Sequence, residues 1–297
     1  MNLPEINSRE EPFPKRAVIG NLYRHIKFLS VDIGDRYLWK ESSLERAAEY
    51  IEAELASYGY PLRRQSFGCY GKEVSNLIIE NPGREKEIIV VGAHYDTVPG
   101  TPGADDNASG VAVLLELARL FQKTDSRKAL VLAALVNEEP PFYGSPNMGS
   151  MVCARQLKDQ GAPIEVMLSL EMVGYFGRDI VQRYPLPGME LLYPRTGDFI
   201  GVVGNFASRR QVSRIRRGIK KFSTLRARSL TAPEFFGGIN LSDNASFWAH
   251  GFRAVMVTDT SFFRNRHYHQ ESDTIDTLNF DQMAEVVRGL YFTLLNL

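Results

Sequence analysis

Residues 87–123 read EIIVVGAHYDTVPGTPGADDNASGVAVLLELARLFQK, and this stretch decides the fold class. It begins with a short apolar, β-branched run, EIIVVGA (87–93), which is typical of a strand buried on both faces. It ends with ASGVAVLLELARLFQK (108–123), whose apolar residues recur at helical spacing. The loop between them places one His and three Asp within thirteen positions, among residues that add bends but little bulk. The chain has only five histidines, so the function of this one must be explained.

The alternation of strand and helix extends on both sides of this stretch. Further predicted elements are ESSLERAAEYIEAELASY (41–58, helix), two strands within 62–80, KALVLAALV (128–136, strand), MGSMVCARQLKDQ (148–160, helix), IEVMLSLEM (164–172, strand), FRAVMVTDT (252–260, strand) and FDQMAEVVRGLYFTLLNL (280–297, helix). Such alternation predicts an α/β protein with a mixed, mostly parallel central β-sheet and helices on both faces. We expect a single globular domain over residues 1–297, with 1–40 as an N-terminal helical extension. Roughly 195–240 is expected to form a lid or insertion near the active site.

The bulk composition limits the partners and the compartment. Basic and acidic residues balance at 35 each, so no overall field favours nucleic acid or an anionic membrane, and neither is an expected partner. Two cysteines, Cys69 and Cys153, make a disulfide framework improbable and favour a reducing compartment. No secretory signal and no run of eighteen apolar residues is visible, so a cytoplasmic location is predicted.

Side chains of types that can bind metals follow four of the predicted strands. They are His94 and Asp96, Glu138 and Glu139, Glu171, and His269. In an open parallel sheet, ligands bind beyond the carboxyl ends of the strands, so these groups should converge. Converging carboxylates repel one another unless a cation lies among them. Imidazoles with carboxylates suit zinc, cobalt or manganese, and the excess of carboxylates indicates two ions sharing one of them.

Each candidate also has an ordinary structural interpretation. His94 alone would be a hydrogen-bonded structural histidine, Asp105 and Asp106 would cap a helix, and the Glu138–Glu139 pair would form a solvated turn. Glu171 is harder to explain in this way, because an unpaired carboxylate inside an apolar strand is costly. The convergence of all of them favours a metal site.

The motifs resemble a known family. GAHYDT, PGADDNASG, NEEPPFYGS, SLEMVGY, LSDNASFW and HQESDT occur in the order found in the co-catalytic zinc aminopeptidases, and they span roughly residues 40–297. This group includes glutamate carboxypeptidase and the animal-type glutaminyl cyclases. The resemblance implies the zinc exopeptidase fold and two zinc ions, with cobalt or manganese as substitutes.

The resemblance also implies a role for each matching residue. The implied metal ligands are Asp105, which bridges both ions, His94 and Glu171 on the first ion, and Glu139 and His269 on the second. Asp96 would orient His94 through its other ring nitrogen. Glu138 would be the general base. The family's cis peptide bond between two aspartates would fall at Asp105–Asp106.

Two positions depart from the family pattern. Family members usually have Asp where this chain has Glu171, and they usually read Ser-Asp-His where this chain has residues 242–244, Ser-Asp-Asn. Neither change removes a type of ligand. His267 lies close to His269 in the motif HYH and is expected at the rim of the site or against substrate, although the two histidines could exchange roles.

The substrate is predicted to be a peptide or an amino-acid amide. Candidate substrate-binding residues are Tyr175, Asp243, His267 and Phe262. Aromatic residues in PEFFGG (233–238) and TSFFRN (260–265) favour a hydrophobic N-terminal side chain, or else they pack a loop. The basic segment 208–228 predicts an amphipathic helix with a solvated basic face, and His25 is expected on a helix surface.

The predicted activity is removal of N-terminal residues from peptides by a water held between two ions, with Glu138 as the base. Within the same fold, a glutaminyl cyclase with one zinc ion or a small-amide hydrolase is the enzymatic alternative. A non-catalytic binding protein on this scaffold is the alternative from another class. No oligomeric state is predicted.

Overall fold

The protein was analysed as a computed structural model that describes residues 13–297. The helices are α1 (Lys15–Ile26), α2 (Glu41–Ser57), α3 (Gly110–Phe121), α4 (Gly149–Asp159), α5 (Arg209–Phe222), α6 (Asn244–Ala249) and α7 (Phe280–Leu295). The strands are β1 (Leu62–Cys69), β2 (Lys72–Asn81), β3 (Ile88–His94), β4 (Ala129–Leu135), β5 (Ile164–Glu171), β6 (Gly177–Val181), β7 (Thr196–Gly197), β8 (Phe199–Asn205), β9 (Arg226–Ala232) and β10 (Ala254–Thr258).

Eight strands form one mixed sheet in the order β1-β2-β4-β3-β5-β10-β8-β9. The four central strands β4, β3, β5 and β10 are parallel to one another, because β3 pairs in parallel with β4 and β5, and β5 with β10. The β1–β2 hairpin is added antiparallel on one side, and the parallel pair β8–β9 is added antiparallel to β10 on the other. The carboxyl ends of the central strands therefore meet at one edge of the sheet.

Helices cover both faces of this sheet. Apolar residues of α1, α2, α3, α5 and α7, among them Leu22, Leu114 and Leu290, form the core on one face. Residues of α4 and α6, such as Cys153 and Phe247, form a smaller core on the other face. The predicted single α/β domain with a mixed, mostly parallel sheet is confirmed.

Two predicted subdivisions of the chain differ from the observed packing. Residues 1–12 of the expected N-terminal extension lie outside the described residues, whereas α1 belongs to the main core through Val18, Leu22 and Ile26. Within roughly 195–240, expected to be a lid or insertion near the active site, residues 199–232 form β8, α5 and β9 of the central sheet and its covering layer. The basic helix predicted over 208–228 ends at Phe222, and Val212, Ile215 and Ile219 bury its apolar face.

Nowhere in residues 13–297 is a helix both long enough and apolar enough to span a membrane. The cytoplasmic location stays a prediction. Cys69 and Cys153 are both free thiols, buried at separate places in the structure.

Candidate metal centre

The predicted ligands lie at the carboxyl edge of the four central strands. His94 ends β3, Glu171 ends β5, and Glu138 and Glu139 follow β4. Several residues beside these ligands have a left-handed backbone, with φ of 58° at Asn137, 46° at Met172 and 56° at His269. Such backbones are uncommon for non-glycine residues and tend to occur at functional sites.

His94 is fully buried and faces carboxylates with its Nε2 atom. This atom lies 3.3 Å from Asp106 Oδ1, 3.4 Å from Glu171 Oε2 and 4.0 Å from Glu138 Oε2. On the other side of the ring, Nδ1 lies 3.2 Å from the main-chain carbonyl of Asp96 and 3.6 Å from its carboxylate. Asp96 therefore lies behind the ring, and its closest contact with Nδ1 is through its main-chain carbonyl.

Asp106, not Asp105, is the aspartate that faces both histidines. Its Oδ1 lies 3.3 Å from His94 Nε2, and its Oδ2 lies 3.3 Å from His269 Nε2. Among residues 13–297, the group of donor atoms close enough together to hold an ion consists of His94, Asp106 and Glu139. The prediction named Asp105 for this place, whereas the structure has Asp106, the next residue, in the group.

Asp105 turns away from the cluster. Its Oδ1 accepts a hydrogen bond of 2.9 Å from the Gly174 amide, and its Oδ2 accepts one of 2.7 Å from the side chain of Asn265. Burial raises the pKa of Asp105 well above its usual value, and the nearby Asp259 raises it further. The cis peptide bond is also one residue later than expected, at Asp106–Asn107.

His269, and not His267, reaches the carboxylates. Its Nε2 lies 3.2 Å from Glu139 Oε2 as well as 3.3 Å from Asp106 Oδ2. The Nδ1 of His267 instead lies 2.8 Å from the Ser272 hydroxyl, and its ring packs edge-on against Tyr175.

Two buried aspartates hold the main chain of the ligand loops. Asp96 accepts hydrogen bonds of 3.1 Å from the amides of Glu138 and Glu139, one on each carboxylate oxygen. Asp273 does the same for Asp105 and Asp106, at 3.0 and 3.1 Å. The sequence indicated the importance of Asp96 but not of Asp273, whose only signal was its place in the HQESDT motif.

Arg36 is a second residue that sequence reasoning missed. It is fully buried and donates hydrogen bonds to the main-chain carbonyls of Tyr95, at 2.7 Å, and of Gly103, at 2.9 Å. Burial lowers its pKa to about 10. No carboxylate of the described residues lies within ion-pair distance of its guanidinium. Arg36 therefore holds the loops behind the site and forms no ion pair with the carboxylates.

The extra methylene of Glu171 does not carry its carboxylate out of the site. Oε2 of Glu171 lies 3.4 Å from His94 Nε2 and accepts a 2.7 Å hydrogen bond from the Ser242 hydroxyl. The Ser242 hydroxyl is itself 2.8 Å from that of Ser169, so it is held on both sides. The carboxylate of Glu171 therefore stays beside His94.

The electrostatics indicate an excess of negative charge. Burial would lower the pKa of His94, but the carboxylates of Glu171 and Glu138 raise it well above its usual value. Burial likewise opposes the charge of His269, yet the adjacent carboxylates of Asp106 and Glu139 raise its pKa to about 10. The pKa of Glu139 is raised to about 8, first by burial and then by Asp106. Without another cation, protons must neutralise the cluster.

Whether a metal fits this cluster can be judged from its buried polar atoms that have no hydrogen-bond partner. His94 Nε2, Asp106 Oδ1, Glu139 Oε1 and His269 Nε2 are buried and make no hydrogen bond. Buried polar atoms are rarely left unpaired, so their convergence requires an explanation. Imidazole nitrogens and carboxylate oxygens are ligands for zinc and similar divalent ions. The residues present therefore fit a metal centre.

Comparison with known proteins gives the family of this chain. The sequence pattern of Peptidase family M28 matches residues 76–293. The chain belongs to peptidase family M28. It is 38% identical over 292 residues to the uncharacterized protein YfbL of Escherichia coli (strain K12), covering 95% of this chain and 90% of that relative. It is 27% identical over 282 residues to a probable leucine aminopeptidase of Arthroderma benhamiae, covering 89% of this chain and 69% of the relative.

Solved structures support the fold of this M28 peptidase. A zinc aminopeptidase from Bacillus subtilis superposes with a TM-score of 0.75 at 16% identity, covering 96% of this chain and 95% of that one. A glutaminyl cyclase from Porphyromonas gingivalis superposes with a TM-score of 0.68 at 19% identity, covering 93% and 97%. The family assignment identifies the chain as a metal-dependent hydrolase of the peptidase class.

The centre of this M28 peptidase opens into a mainly apolar cavity of about 250 Å³. Asp106, Glu138, Glu139, Glu171 and His269 form one end of it, and β8, β9 and β10 form its floor. Of the four predicted substrate-binding residues, Phe262 lines this cavity. Tyr175 borders a separate depression, while Asp243 and His267 do not line either space. Burial raises the pKa of Asp243 to about 7.

Proposed function

We propose that this M28 peptidase is a dinuclear zinc aminopeptidase that removes N-terminal residues from peptides. The observation that carries the proposal is a set of buried metal-binding atoms without hydrogen-bond partners, on His94, Asp106, Glu139 and His269. The last three of these residues line an apolar cavity. A purely structural cluster would pair these atoms with protein donors or acceptors, because an unpaired buried polar group is costly.

Asp106 would bridge the two ions, because its two oxygens face different histidines. His94 and Glu171 would complete one ion's ligands, since their side chains lie 3.4 Å apart. Glu139 and His269, 3.2 Å apart, would complete the other's. Bound zinc ions supply a water of lowered pKa and polarise a carbonyl group, and cobalt or manganese can substitute for them.

Glu138 would be the general base of the reaction. It lines the cavity beside the proposed ligands, and Asp96 fixes its main-chain amide. Burial raises the pKa of the Glu138 carboxyl well above its usual value, which makes the group a better proton acceptor. Its carboxylate would take a proton from the attacking water and deliver it to the leaving amine. Glu138 would therefore serve both halves of the hydrolysis.

The position of the cluster favours an exopeptidase. The carboxylates lie at one end of the cavity, and the rest of its lining is mainly apolar. A substrate would bind with its N-terminal amine beside one of these carboxylates, while an internal peptide nitrogen carries no charge to pair with a carboxylate. The apolar floor, which includes Val203 and Met256, suits a hydrophobic side chain.

The direct test is the metal content of the protein, purified without chelator or nickel column, by mass spectrometry. Two ions per chain, together with release of aniline from leucyl anilide, support the proposal. No bound ion after dialysis against zinc would refute it and favour a non-catalytic protein. Two ions with hydrolysis of only N-acyl amino acids would identify a small-amide hydrolase instead.

A glutaminyl cyclase is the second candidate, because a solved cyclase shares the fold. One ion per chain and conversion of glutaminyl peptides to pyroglutamyl peptides, without release of an N-terminal residue, would establish it. The same protein sample serves both assays, so the two outcomes exclude each other directly.

A further inference from the structure

A row of residues crosses four neighbouring strands and connects the metal centre with an arginine. Glu171 of β5 pairs with Thr258 of β10, Thr258 pairs with Gly201 of β8, and Gly201 pairs with Arg228 of β9. Residues opposite one another on paired strands project to the same face of a sheet. All four residues line the same cavity.

The row fixes the distance between its two ends. Neighbouring strands lie about 4.8 Å apart, so the main chain of Arg228 is about 14 Å from that of Glu171. Arg228 is half-buried, on the cavity side of β9. A substrate bound at the metal centre would therefore extend along the floor toward this guanidinium.

Gly201 leaves the floor of the cavity without a side chain at one position between Glu171 and Arg228. It contributes no side chain, and a Cβ atom placed there would lie 3.2 Å from the Thr258 carbonyl oxygen and 3.5 Å from the Thr260 methyl group. Tyr184 and Tyr193, whose ring centroids are 5.6 Å apart, line the cavity as well. The space between Glu171 and Arg228 is thus open to a ligand.

Arg228 forms no ion pair with the described part of the protein, unlike Arg226 on the same strand. Arg226 donates hydrogen bonds of 2.8 and 3.0 Å to the carboxylate of Asp198. Within residues 13–297 the Arg228 guanidinium has no ion-pair partner, and its hydrogen bond is a long one, 3.5 Å, to the Ala227 carbonyl. A half-buried guanidinium that lines a mainly apolar cavity is a ready partner for an incoming anion.

We propose that Arg228 binds a carboxylate group of the substrate and makes the enzyme selective for peptides that carry one. The inference rests on the proposed aminopeptidase function. A guanidinium is always charged and matches the two oxygens of a carboxylate in a bidentate pair. The carboxylate would be the free C-terminus of a short peptide or an acidic side chain near the N-terminus.

Arg183 is the other arginine that lines the cavity. It is exposed and also borders the neighbouring depression. It does not belong to the strand row, so its position relative to the metal centre is not set by the sheet. Arg183→Gln is therefore a necessary comparison.

The test uses two matched pairs of substrates with the zinc-loaded enzyme. Leu-Ala against Leu-Ala-amide measures selectivity for a C-terminal carboxylate, and glutamyl anilide against glutaminyl anilide measures selectivity for a side-chain carboxylate. We expect kcat/KM to favour the carboxylate member of at least one pair by about 10- to 100-fold. Arg228→Gln should bring that ratio close to one, and Arg228→Lys should give an intermediate ratio.

Arg226→Gln is the matched control, because it removes an arginine from the same strand whose charge Asp198 already neutralises. It should keep the wild-type ratio, and Arg183→Gln should keep it too. The proposal is overturned if the wild type has no preference in either pair, if Arg228→Gln keeps the preference, or if either comparison variant loses it equally.

Equilibrium binding provides a readout that does not depend on turnover. Calorimetric titration of Glu138→Gln with the members of both substrate pairs should give the same preference, and adding Arg228→Gln should remove it. If the wild type hydrolyses none of the substrates, the aminopeptidase proposal fails, but this titration still decides the role of Arg228. Equal affinity for the two members of both pairs would refute that role.

Discussion

Two buried histidines, His25 and His94, have opposite electrostatic surroundings. Both are fully buried, and both lie near carboxylates. His25 contacts the Tyr50 hydroxyl at 2.8 Å, and the neighbouring Glu54 is paired with Arg24, which donates to both of its oxygens. Around His94, no arginine or lysine of the described residues pairs with a carboxylate.

The pKa values of the two rings move in opposite directions for this reason. Burial, followed by the charge of Arg24, lowers the pKa of His25 to about 3, so this ring stays neutral. Burial acts on His94 too, but Glu171 and Glu138 outweigh it and raise its pKa. The comparison teaches that a buried histidine with carboxylates indicates a metal site only where no other cation balances them.

The largest expected effect is a difference between two neighbouring aspartates, each replaced in a separate variant. Asp106→Ala should release bound metal and abolish peptide hydrolysis, because it removes the one carboxylate that faces both histidines. Asp105→Asn should keep the metal, since its carboxylate already accepts bonds from Gly174 and Asn265. Metal content by mass spectrometry distinguishes the two. Retention of two ions by Asp106→Ala would show that Asp106 is not the bridge.

The second effect concerns proton transfer alone. Glu138→Gln should decrease kcat by about 10²- to 10⁴-fold, because the amide cannot accept the proton, while metal content stays unchanged. Steady-state kinetics on leucyl anilide, with metal analysis of the same sample, measure both quantities. Loss of metal in this variant would make Glu138 a ligand instead of the base.

A smaller loss is expected when a positioning residue is changed. Asp96→Asn replaces one of the two oxygens that accept from the amides of Glu138 and Glu139. We expect a decrease of about 10- to 100-fold in metal affinity or activity, as is usual for groups that orient metal ligands. Asp273→Asn is the matched variant on the Asp105–Asp106 loop and should behave alike. Wild-type zinc affinity in both, by competition with a chelator, would contradict this role.

The smallest effect is a pH dependence of stability at His25. Its pKa is about 3 in the folded protein and about 6.5 in the unfolded chain, so at pH 7 the ring is neutral in both states. As the pH falls below about 6.5, the unfolded chain takes up a proton that the folded protein does not, and stability decreases. The expected loss between pH 7 and pH 5 is up to about 2 kcal/mol.

Urea unfolding at the two pH values measures this loss. His25→Gln should make the loss smaller, whereas Tyr50→Phe should cost about 1 kcal/mol at pH 7 and keep the pH dependence. If His25→Gln loses as much stability between pH 7 and pH 5 as the wild type does, burial of the His25 imidazole is not the cause of the loss. This result would weaken the contrast with His94.

Much of the fold followed from local patterns in the sequence. The central strands and their helices were predicted because apolar β-branched runs alternate with amphipathic segments over short distances. Strands β8 and β9 were missed, since residues 195–240 were interpreted as a lid. β9 lies at the edge of the sheet and is only partly buried, so it lacks a clear apolar run. His25 was expected on a surface, although packing against Tyr50 buries it.

The sequence by itself determined the fold class, and it determined the types of side chain in the candidate centre and their edge of the sheet, because each of these residues follows a strand that local pattern identifies. The tertiary structure decided which neighbour faces inward. Asp105 and Asp106 are chemically identical and adjacent, and only contacts with Gly174, Asn265 and the two histidines separate them. The tertiary structure also decided that Arg228 lies in the same row of paired residues as Glu171, since strand register depends on pairing between distant segments.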